Sequence, residues 1–292
     1  MKTLNQYLTE TYGHKLYKLS LNGGMSCPNR DGTCGTGGCL FCSAGGSGDF
    51  TPAVTLPIEE QIAAAKALVA GKAGDSGRYI AYFQAYTNTY APVARLRALF
   101  EPIIRRDDIE ILSIATRPDC LSDEVVALLK ELNGRKPVWV ELGLQTIHAR
   151  SAEAMRRGYP LSVFDSAVKR LKEAGIKVIV HLILYWPGET EEDMLASVRY
   201  VGACGVFGVK LQLLQILRGT ELARIYEKSP WELPSMEEYA AFVVKALEAL
   251  PEDIVVHRMT GDGPKKLLIA PTWCGDKKRV LNCLNKAISG KG

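Results

Sequence analysis

The chain has 292 residues, of which 47% are hydrophobic and 23% are charged. These proportions are ordinary for a globular protein, and the length suffices for one large α/β domain with a sizeable core. The formal net charge of +4 permits an anionic partner but lacks the strongly basic character typical of nucleic-acid binders. No apolar run approaches the roughly 20 residues of a membrane span, and MKTLNQYLTE does not resemble a signal sequence. We therefore expect a cytoplasmic protein with no membrane partner.

The first quarter of the chain predicts a helix, a strand, a cysteine-rich loop and a second helix. Residues 1–14 have helical spacing, and KLYKLSL at 15–21 alternates like a strand. A Gly-rich loop with cysteines occupies 25–50. A helix over 57–70 follows, and Pro57 is well placed to begin it.

Further strands then alternate with helices along the chain. The predicted strands are 79–83, 109–115, 138–142, 178–184 and one within 208–216, and the predicted helices are 92–104, 122–132, 162–174 and 191–203. This alternation predicts a parallel sheet with right-handed crossovers. Polar groups follow strand after strand, which favours a barrel with its site at the C-terminal strand ends over an open doubly wound sheet. Neither common phosphate-binding loop pattern is present.

The alternation stops after residue 221, where prolines punctuate the sequence. A helix over 235–250, a strand over 254–257 and a last helix over 278–288 are predicted here. We predict a partial-barrel core over 1–225 and a C-terminal α/β extension over 226–292 that covers the open side of the barrel. About 65 residues with few aromatics would be marginal as an independent domain.

The cysteine loop is the most informative part of the chain. It holds Cys27, Cys34, Cys39 and Cys42, half of the eight cysteines. Three thiolates from one loop can hold a [4Fe–4S] cluster and leave one iron open to a small ligand, whereas four would close the site. A structural zinc site is the alternative, although zinc ribbons usually present two C-x-x-C pairs and this loop has one. A disulfide framework fits such a long chain less well.

The loop sequence CPNRDGTCGTGGCLFC resembles the cluster loop of the radical S-adenosylmethionine (SAM) superfamily. The resemblance is to its YhcC-like branch, which is related to the Elongator catalytic-subunit-like enzymes. It implies a partial (β/α)6 TIM-like barrel in which Cys27, Cys39 and Cys42 hold the cluster. Cys34 departs from the branch pattern, and its spacing to Cys39 and Cys42 is nearer the common superfamily spacing. We favour Cys27 because it closely follows the first predicted strand.

The resemblance also implies that polar residues after the strands bind SAM. The segment after the second strand lacks the usual Gly-Gly-Glu-like sequence and offers Gln84, Thr87 and Asn88 instead. TRPD after the third strand resembles the branch pattern, and it offers Thr116, Arg117 and Asp119. An Asp after Pro is also a routine turn residue.

Three later motifs provide further SAM candidates. Glu141 needs a partner, because an unpaired carboxylate inside an apolar strand would cost several kcal/mol. ELGLQT resembles the branch motif in which the residues matching Glu141 and Gln145 reach SAM. Arg157, in AMRRGYP, resembles the Arg that pairs the SAM carboxylate, with Arg156 as the alternative. His181 begins HLILYWPGET, which resembles a family segment near the adenine, although a lone His on an apolar strand is commonly a core residue.

Two further features concern the substrate side of the site. Lys210 and Gln212 alternate along the sixth strand and should share one face, which we expect to point into the barrel. Cys274, in APTWC, resembles a PxWC near the end of branch members. A buried structural thiol is the ordinary interpretation, and a catalytic hydrogen-atom donor is the sharper hypothesis.

Together these similarities imply an enzyme that uses a [4Fe–4S] cluster and SAM. A one-electron donor such as flavodoxin or ferredoxin would reduce the cluster, and reductive cleavage of SAM would give a 5′-deoxyadenosyl radical that abstracts hydrogen from a substrate. The Elongator-like kinship suggests tRNA as that substrate, and a small metabolite or a protein side chain is equally open. The alternative hypothesis is a non-catalytic four-cysteine zinc module that binds nucleic acid.

Overall fold

The computed structural model describes residues 1–73, 77–261 and 263–290. Its strands are β1 (Lys2–Thr3), β2 (Tyr17–Leu21), β3 (Tyr79–Phe83), β4 (Ile109–Thr116), β5 (Val138–Gln145), β6 (Lys177–Leu184), β7 (Gly208–Leu213), β8 (Ile216–Leu217), β9 (Val255–Arg258) and β10 (Leu268–Ala270). Its helices are α1 (Leu4–Tyr12), α2 (Ile58–Ala73), α3 (Val93–Ile104), α4 (Asp123–Asn133), α5 (Ala149–Ala154), α6 (Leu161–Glu173), α7 (Glu191–Ala203), α8 (Glu221–Lys228), α9 (Met236–Glu248) and α10 (Lys277–Ile288). Short 3-10 turns occupy Pro118–Cys120 and Thr272–Gly275.

Eight strands form one parallel sheet in the order β1-β9-β7-β6-β5-β4-β3-β2. The six strands predicted for the barrel core are β2 to β7, and each lies beside its neighbour in the chain, while the strand predicted over 254–257 is β9. This curled sheet with covering helices confirms the predicted α/β partial barrel. The carboxyl ends of all its strands therefore meet at one edge, where barrel enzymes of this type place their sites.

The C-terminal part of the chain contributes to the sheet itself. Strand β9 inserts between β1 and β7, with Val255 paired in register to both Lys2 and Gly208. The extension that we predicted over 226–292 therefore supplies a core strand as well as covering elements. A separate antiparallel pair joins β10 to β8.

The two faces of the sheet bury different groups. Outward residues such as Val138, Val140 and Leu142 are fully buried against the helices in the main hydrophobic cluster. Inward residues near the strand starts pack with α1 in a second cluster, here called the apolar plug, which comprises Leu8, Leu16, Ile80, Ile111, Trp139 and Ile179. The Trp139 ring lies 5.2 Å from that of Phe207. The plug closes the amino ends of the strands, so an interior cavity can open only toward their carboxyl ends.

Hydrogen-bonded caps fix several helix ends. Thr190 begins α7 in a capping box with Asp193, and Ser235 begins α9 in a capping box with Glu238. Such caps satisfy backbone N–H groups that the helix itself cannot. In the part of the chain that the structure describes, no helix combines the length and apolar character needed to cross a membrane.

Candidate active site

A cavity of about 250 Å³ opens at the carboxyl ends of the strands. Its walls come from the cysteine loop, the strand ends and the segment after β9. Most of the predicted site residues line it: Cys27, Cys39, Cys42, Gln84, Thr87, Thr116, Arg117, Glu141, Gln145, Arg157 and His181. The fold therefore brings together side chains that are more than 150 positions apart in the sequence.

Three predicted site residues lie outside this lining. Asn88 is fully buried, and its Nδ2 donates to backbone carbonyls of β3 and β4 at 3.1 and 3.0 Å. Asp119 accepts two hydrogen bonds from Arg117, at 2.9 and 2.6 Å. Cys274 lines an adjoining cavity of about 190 Å³ that shares Leu213 with the first one.

The four loop cysteines divide into three that line the cavity and one that does not. Cys34 is exposed, whereas Cys27, Cys39 and Cys42 are partly buried. Among the described residues, no group of three His, Cys, Asp or Glu side chains is arranged to hold a single metal ion. A [4Fe–4S] cluster distributes its thiolate ligands over separate irons. Three soft thiol donors on one cavity wall fit that cluster.

Burial controls the protonation of these thiols. It raises the pKa of Cys39 to about 11, and the nearby Cys42 adds to the increase. Burial also raises the pKa of Cys42, against the opposing effect of Arg30. A metal ligand must be a thiolate, so cluster binding at this loop is coupled to the release of protons.

Asn29 fixes the position of the cluster loop and was missed as a site residue. Its Nδ2 donates to Sγ of Cys39 at 3.3 Å and to the carbonyl of Arg156 at 2.6 Å. A Cβ at Gly158, where φ is +83°, would lie 2.7 Å from the Asn29 Oδ1. The CPNRDG motif was the available signal, because it contains an Asn two positions after the first cysteine.

Arg30 holds the other side of the loop. Its Nη2 donates to the carbonyls of Cys42 at 3.3 Å and Ser43 at 2.6 Å. Its guanidinium lies over the Tyr86 ring at 5.5 Å, and that ring packs against Gly46 so closely that a Cβ there would clash at 2.3 Å. These contacts hold the loop against Tyr86 and the end of β3.

The predicted SAM contacts after β3 and β4 largely support the loop. Gln84 accepts from Ser20 at 3.2 Å and donates to the carbonyl of Ser47 at 2.8 Å. Thr116 shares a 2.5 Å hydrogen bond with Thr89. The backbone N–H of Thr87 donates to the carbonyl of Ser26 at 3.3 Å, next to Cys27.

Arg117 and Arg157 are engaged by the protein. The Arg157 guanidinium donates at 2.6 to 3.1 Å to the carbonyls of Leu144, Thr146 and Tyr159. Arg117 donates to the carboxylate of Asp119 and, at 2.8 Å, to the Arg157 carbonyl. Arg156 instead points outward to Glu221, with two 2.6 Å hydrogen bonds. Contact of Arg157 with the SAM carboxylate stays a prediction, and its observed bonds hold the end of β5.

Gln145 lines the cavity and carries a buried acceptor. It ends β5 with a φ of 70°, in the left-handed region of backbone conformation that residues other than glycine rarely adopt. A Cβ at Gly143 would lie 2.7 Å from its Nε2, so the glycine leaves space for this side chain. The Gln145 Oε1 is buried without a hydrogen-bond partner among the described residues. Backbone strain and an unsatisfied acceptor in a cavity are both features of ligand sites.

Below the cavity lies a set of polar side chains, here called the polar layer. It comprises Lys18, Tyr82, Ser113, Glu141, His181 and Lys210. Several of these residues come two positions after residues of the apolar plug, as Glu141 follows Trp139, and so face the same side of the sheet. Lys210 points inward, as the strand pattern predicted.

Glu141 is the acceptor shared by this layer. Its side chain has no exposure, and its Oε1 accepts from Lys18 at 3.0 Å and Ser113 at 2.9 Å. Its Oε2 accepts from His181 at 2.8 Å and from the Nζ of Lys210. The expected partner of the buried carboxylate is thus a group of four donors.

Burial and neighbouring charges shift the pKa values of this layer. Burial alone would raise the pKa of Glu141, but Lys18, Lys210 and His181 hold it well below its usual value. Burial, assisted by Lys210, lowers the pKa of His181 to about 4. At neutral pH His181 is therefore uncharged, with Nε2–H bonded to the carboxylate. Burial and the nearby cations also lower the pKa of Lys210, and Glu141 opposes them.

Family models match most of the chain. The radical SAM superfamily matches residues 31–201, and the radical SAM C-terminal domain matches residues 206–289. The chain is 46% identical over 290 residues to the uncharacterised protein YtqA of Bacillus subtilis, covering 99% of this chain and 90% of that protein. It is 36% identical to protein YhcC of Escherichia coli, covering 98% and 91%.

Other similarities are more distant. A tRNA uridine(34) acetyltransferase of Methanocaldococcus jannaschii is 26% identical over 161 residues, which cover 54% of this chain and 29% of that protein. The solved structure of Elp3 from Methanocaldococcus infernus has a TM-score of 0.67 at 16% identity, covering 93% of this chain and 63% of that one. The structural match supports the fold, whereas the sequence matches establish descent. The chain therefore belongs to the radical SAM superfamily, in its YhcC-like branch related to Elongator, and is an enzyme whose cofactors are a [4Fe–4S] cluster and SAM.

Proposed function

We propose that Cys27, Cys39 and Cys42 hold the cluster and that the enzyme acts on tRNA. The observation that carries the ligand assignment is that these three thiols line the cavity while Cys34 is exposed outside it. When bound and reduced by a donor such as flavodoxin or ferredoxin, the cluster supplies the electron that cleaves SAM to methionine and a 5′-deoxyadenosyl radical. The need for reduced thiols suits the cytoplasm.

The chain's own residues orient the cofactors and exclude water. Asn29 and Arg30 hold the cysteine loop against the barrel, through the contacts to Cys39 and to the Ser43 carbonyl. The unpartnered Oε1 of Gln145 accepts a hydrogen bond from an amine or hydroxyl group of SAM. Both carboxylate oxygens of Glu141 accept hydrogen bonds within the polar layer, so Glu141 acts by positioning the side chains of that layer. The apolar plug keeps solvent out from below.

The assignment of tRNA as substrate rests on kinship and charge. A relative that shares about half of this chain is named as a tRNA uridine(34) acetyltransferase, and the formal net charge of +4 permits a polyanionic partner. A deletion strain tests this assignment by mass spectrometry of its tRNA nucleosides. We expect one modified nucleoside to disappear and its precursor to accumulate, both reversed by the wild-type gene. An unchanged nucleoside profile contradicts the assignment and favours a metabolite or protein substrate.

Cys274 is proposed as a hydrogen-atom donor to the substrate radical. Its thiol lies in the adjoining cavity, beside Trp273, and burial raises its pKa to about 11, so that it keeps its hydrogen at neutral pH. In that step the S–H bond breaks, a C–H bond forms on the substrate, and the thiyl radical left on sulfur is returned to the thiol by one electron from the donor and a proton.

The ligand assignment and the chemistry are tested together on anaerobically purified protein. Iron, sulfide and zinc are measured, and 5′-deoxyadenosine formation is followed with SAM and dithionite. We expect about four iron and four sulfide per chain, with both cluster and product lost in Cys27→Ala and retained in Cys34→Ala. Stoichiometric zinc without 5′-deoxyadenosine contradicts the proposed cluster site. Loss of cluster and product in Cys34→Ala but not in Cys27→Ala would assign Cys34 as the third ligand in place of Cys27.

A further inference from the structure

The cavity of about 190 Å³ that holds Cys274, here called the second cavity, adjoins the candidate active site beside the end of β7. The two cavities share Leu213, Gly261 and Gly263 in their walls. A group bound in the second cavity therefore lies next to whatever the first cavity holds. The other walls of the second cavity come from the end of the cysteine loop, from α9, from the 3-10 turn at Thr272–Gly275 and from α10.

Three aromatic side chains line the second cavity: Phe50, Tyr239 and Trp273. The polar atoms of two of them are already bonded to the backbone. Tyr239 Oη donates to the carbonyl of Met259 at 2.9 Å, and Trp273 Nε1 donates to the carbonyl of Pro234 at 3.0 Å. The rings of Tyr239 and Trp273 lie 5.9 Å apart. These bonds fix the two rings, so that they offer aromatic surface to a ligand rather than hydrogen-bonding groups.

Phe50 differs from the other two rings in its exposure. It is 49% exposed although it lines a cavity, whereas Tyr239 is buried. Unpaired nucleobases stack on aromatic side chains of this kind, because every base has a flat apolar face. One ring open to solvent with two held rings beyond it suits a planar group that enters the cavity from outside.

The chain that borders the second cavity is also basic. Residues 260–280 include two carboxylates and five basic residues, which are Lys265, Lys266, Lys277, Lys278 and Arg279. All five basic residues are exposed, and Lys265 lines the cavity. Of the two carboxylates, Asp276 accepts from the backbone N–H of Arg279 at the start of α10. Exposed cations beside an aromatic cavity are complementary to a nucleic-acid backbone that has a base in the cavity.

We propose that the second cavity binds one unpaired base of the RNA substrate, stacked against Phe50 and Trp273, while Lys265 binds an adjoining phosphate. The inference rests on the proposed function and gives the place where tRNA meets the enzyme. A neutral planar ring matches the aromatic walls, and the Thr260 hydroxyl in the same wall offers a hydrogen bond to a base edge. The shared wall brings the base beside the cofactors, in the cavity that holds Cys274.

The test measures RNA binding to the cluster-loaded enzyme by anaerobic fluorescence anisotropy. The labelled probes are tRNA from the deletion strain, a short single-stranded RNA of mixed sequence, and an abasic strand of the same length. The variants are Phe50→Ala, Phe50→Tyr and Lys265→Gln, with the matched controls Leu68→Ala and Lys169→Gln. Leu68 and Lys169 are exposed and line neither cavity. Iron content and urea midpoints show that each variant is folded and loaded.

The base and the phosphate should give different signatures. We expect the wild type to bind the strand with bases about tenfold more tightly than the abasic strand, because base stacking on an aromatic ring contributes affinity of this order. Phe50→Ala should remove most of that difference and weaken tRNA binding, and Phe50→Tyr should retain both. Lys265→Gln should weaken both strands equally and lower the salt dependence by about one phosphate contact. Both controls should bind as the wild type does.

Two failures can be told apart. Equal affinity of the wild type for the two strands, or equal affinity of Phe50→Ala and Leu68→Ala for RNA, would overturn the inference while tRNA binding stands. If tRNA and both strands fail to bind, the inference falls together with the assignment of tRNA as substrate, and a protein or metabolite substrate is favoured. The nucleoside profile of the deletion strain tests that assignment independently of any binding measurement.

Discussion

Removing the carboxylate of the polar layer should destabilise the protein more than removing one of its ammonium groups. Glu141→Gln keeps the size of the side chain but removes the counter-charge of the buried Lys210 and of the partly exposed Lys18. Lys210→Met removes one cation and leaves Glu141 with Lys18 at 3.0 Å, Ser113 at 2.9 Å and His181 at 2.8 Å. The two changes therefore test the charge balance of the layer from opposite sides.

The size of the difference follows from the contacts. Removing one partner of a buried ion pair typically costs about 3–5 kcal/mol. Glu141 and Lys210 have side-chain exposures of 0% and 1%, so solvent does not reduce this cost. We expect Glu141→Gln to lie in the upper part of that range. Lys210→Met should cost less than about 2 kcal/mol, because the carboxylate keeps a second ammonium and two hydrogen bonds.

Urea unfolding of the cluster-loaded protein, followed anaerobically at pH 7, measures both values. The control is Arg97→Gln, at the exposed ion pair of Arg97 with Glu131, and it should leave the urea midpoint unchanged. Because the folded pKa of Glu141 is depressed, its contribution is complete above its ordinary pKa of 4.5 and is lost as the pH falls below it. A cost for Lys210→Met equal to or above that for Glu141→Gln would refute the role of Glu141 as the shared acceptor of the polar layer.

Three further changes test other parts of the structure. The folded pKa of His181 is lowered from 6.5 to about 4, so the wild type should lose about 3 kcal/mol of stability as the pH falls between these values. The urea midpoint of His181→Gln should therefore fall less between pH 7 and pH 4.5 than that of the wild type. Gly143→Ala should displace Gln145 and weaken SAM binding about tenfold in equilibrium dialysis. The control Gly71→Ala, whose added Cβ meets nothing within 4 Å, should bind SAM as the wild type does. Equal affinities of Gly143→Ala and the wild type would contradict a contact between Gln145 and SAM. Thr190→Ala should cost about 1 kcal/mol in urea unfolding, through the lost cap, without changing iron content.

The sequence predicted those helices and strands in which hydrophobic pattern and end signals indicate the same structure. Strand β3 was predicted with its observed bounds, because five successive apolar residues are all buried. Helix α7 was also predicted at Glu191–Ala203, where Thr190 caps its start. Strand β5 was predicted to end at 142 but continues to Gln145, because glycine and glutamine resemble a loop while their backbone still pairs with β6. The short helices α5 and α8 carry too few residues to show a period.

The sequence predicted which residues lie at the candidate site better than it predicted the contacts between them. The need for a partner to Glu141 follows from its apolar strand, but Lys18 is 123 positions away and its approach depends on sheet register. Similarly, nothing local distinguishes Arg258 as a wall of the cavity, since that role depends on β9 inserting beside β7. Sequence motifs identified which residues belong near the cofactors, and topology determined which of them bond to each other.

The pairing of β1 with β9 has a consequence for how the protein folds. Residues 2 and 3 take their hydrogen-bonding partners from residues 255 and 256, so this edge of the sheet cannot form on the ribosome until nearly all of the chain has emerged. Contacts between such distant positions slow folding, and an incomplete sheet with an unpaired edge is open to aggregation. Strand β7, which has β9 as its outer neighbour, stays unpaired on that side during synthesis. Newly made chains should therefore depend on chaperones until β9 is in place.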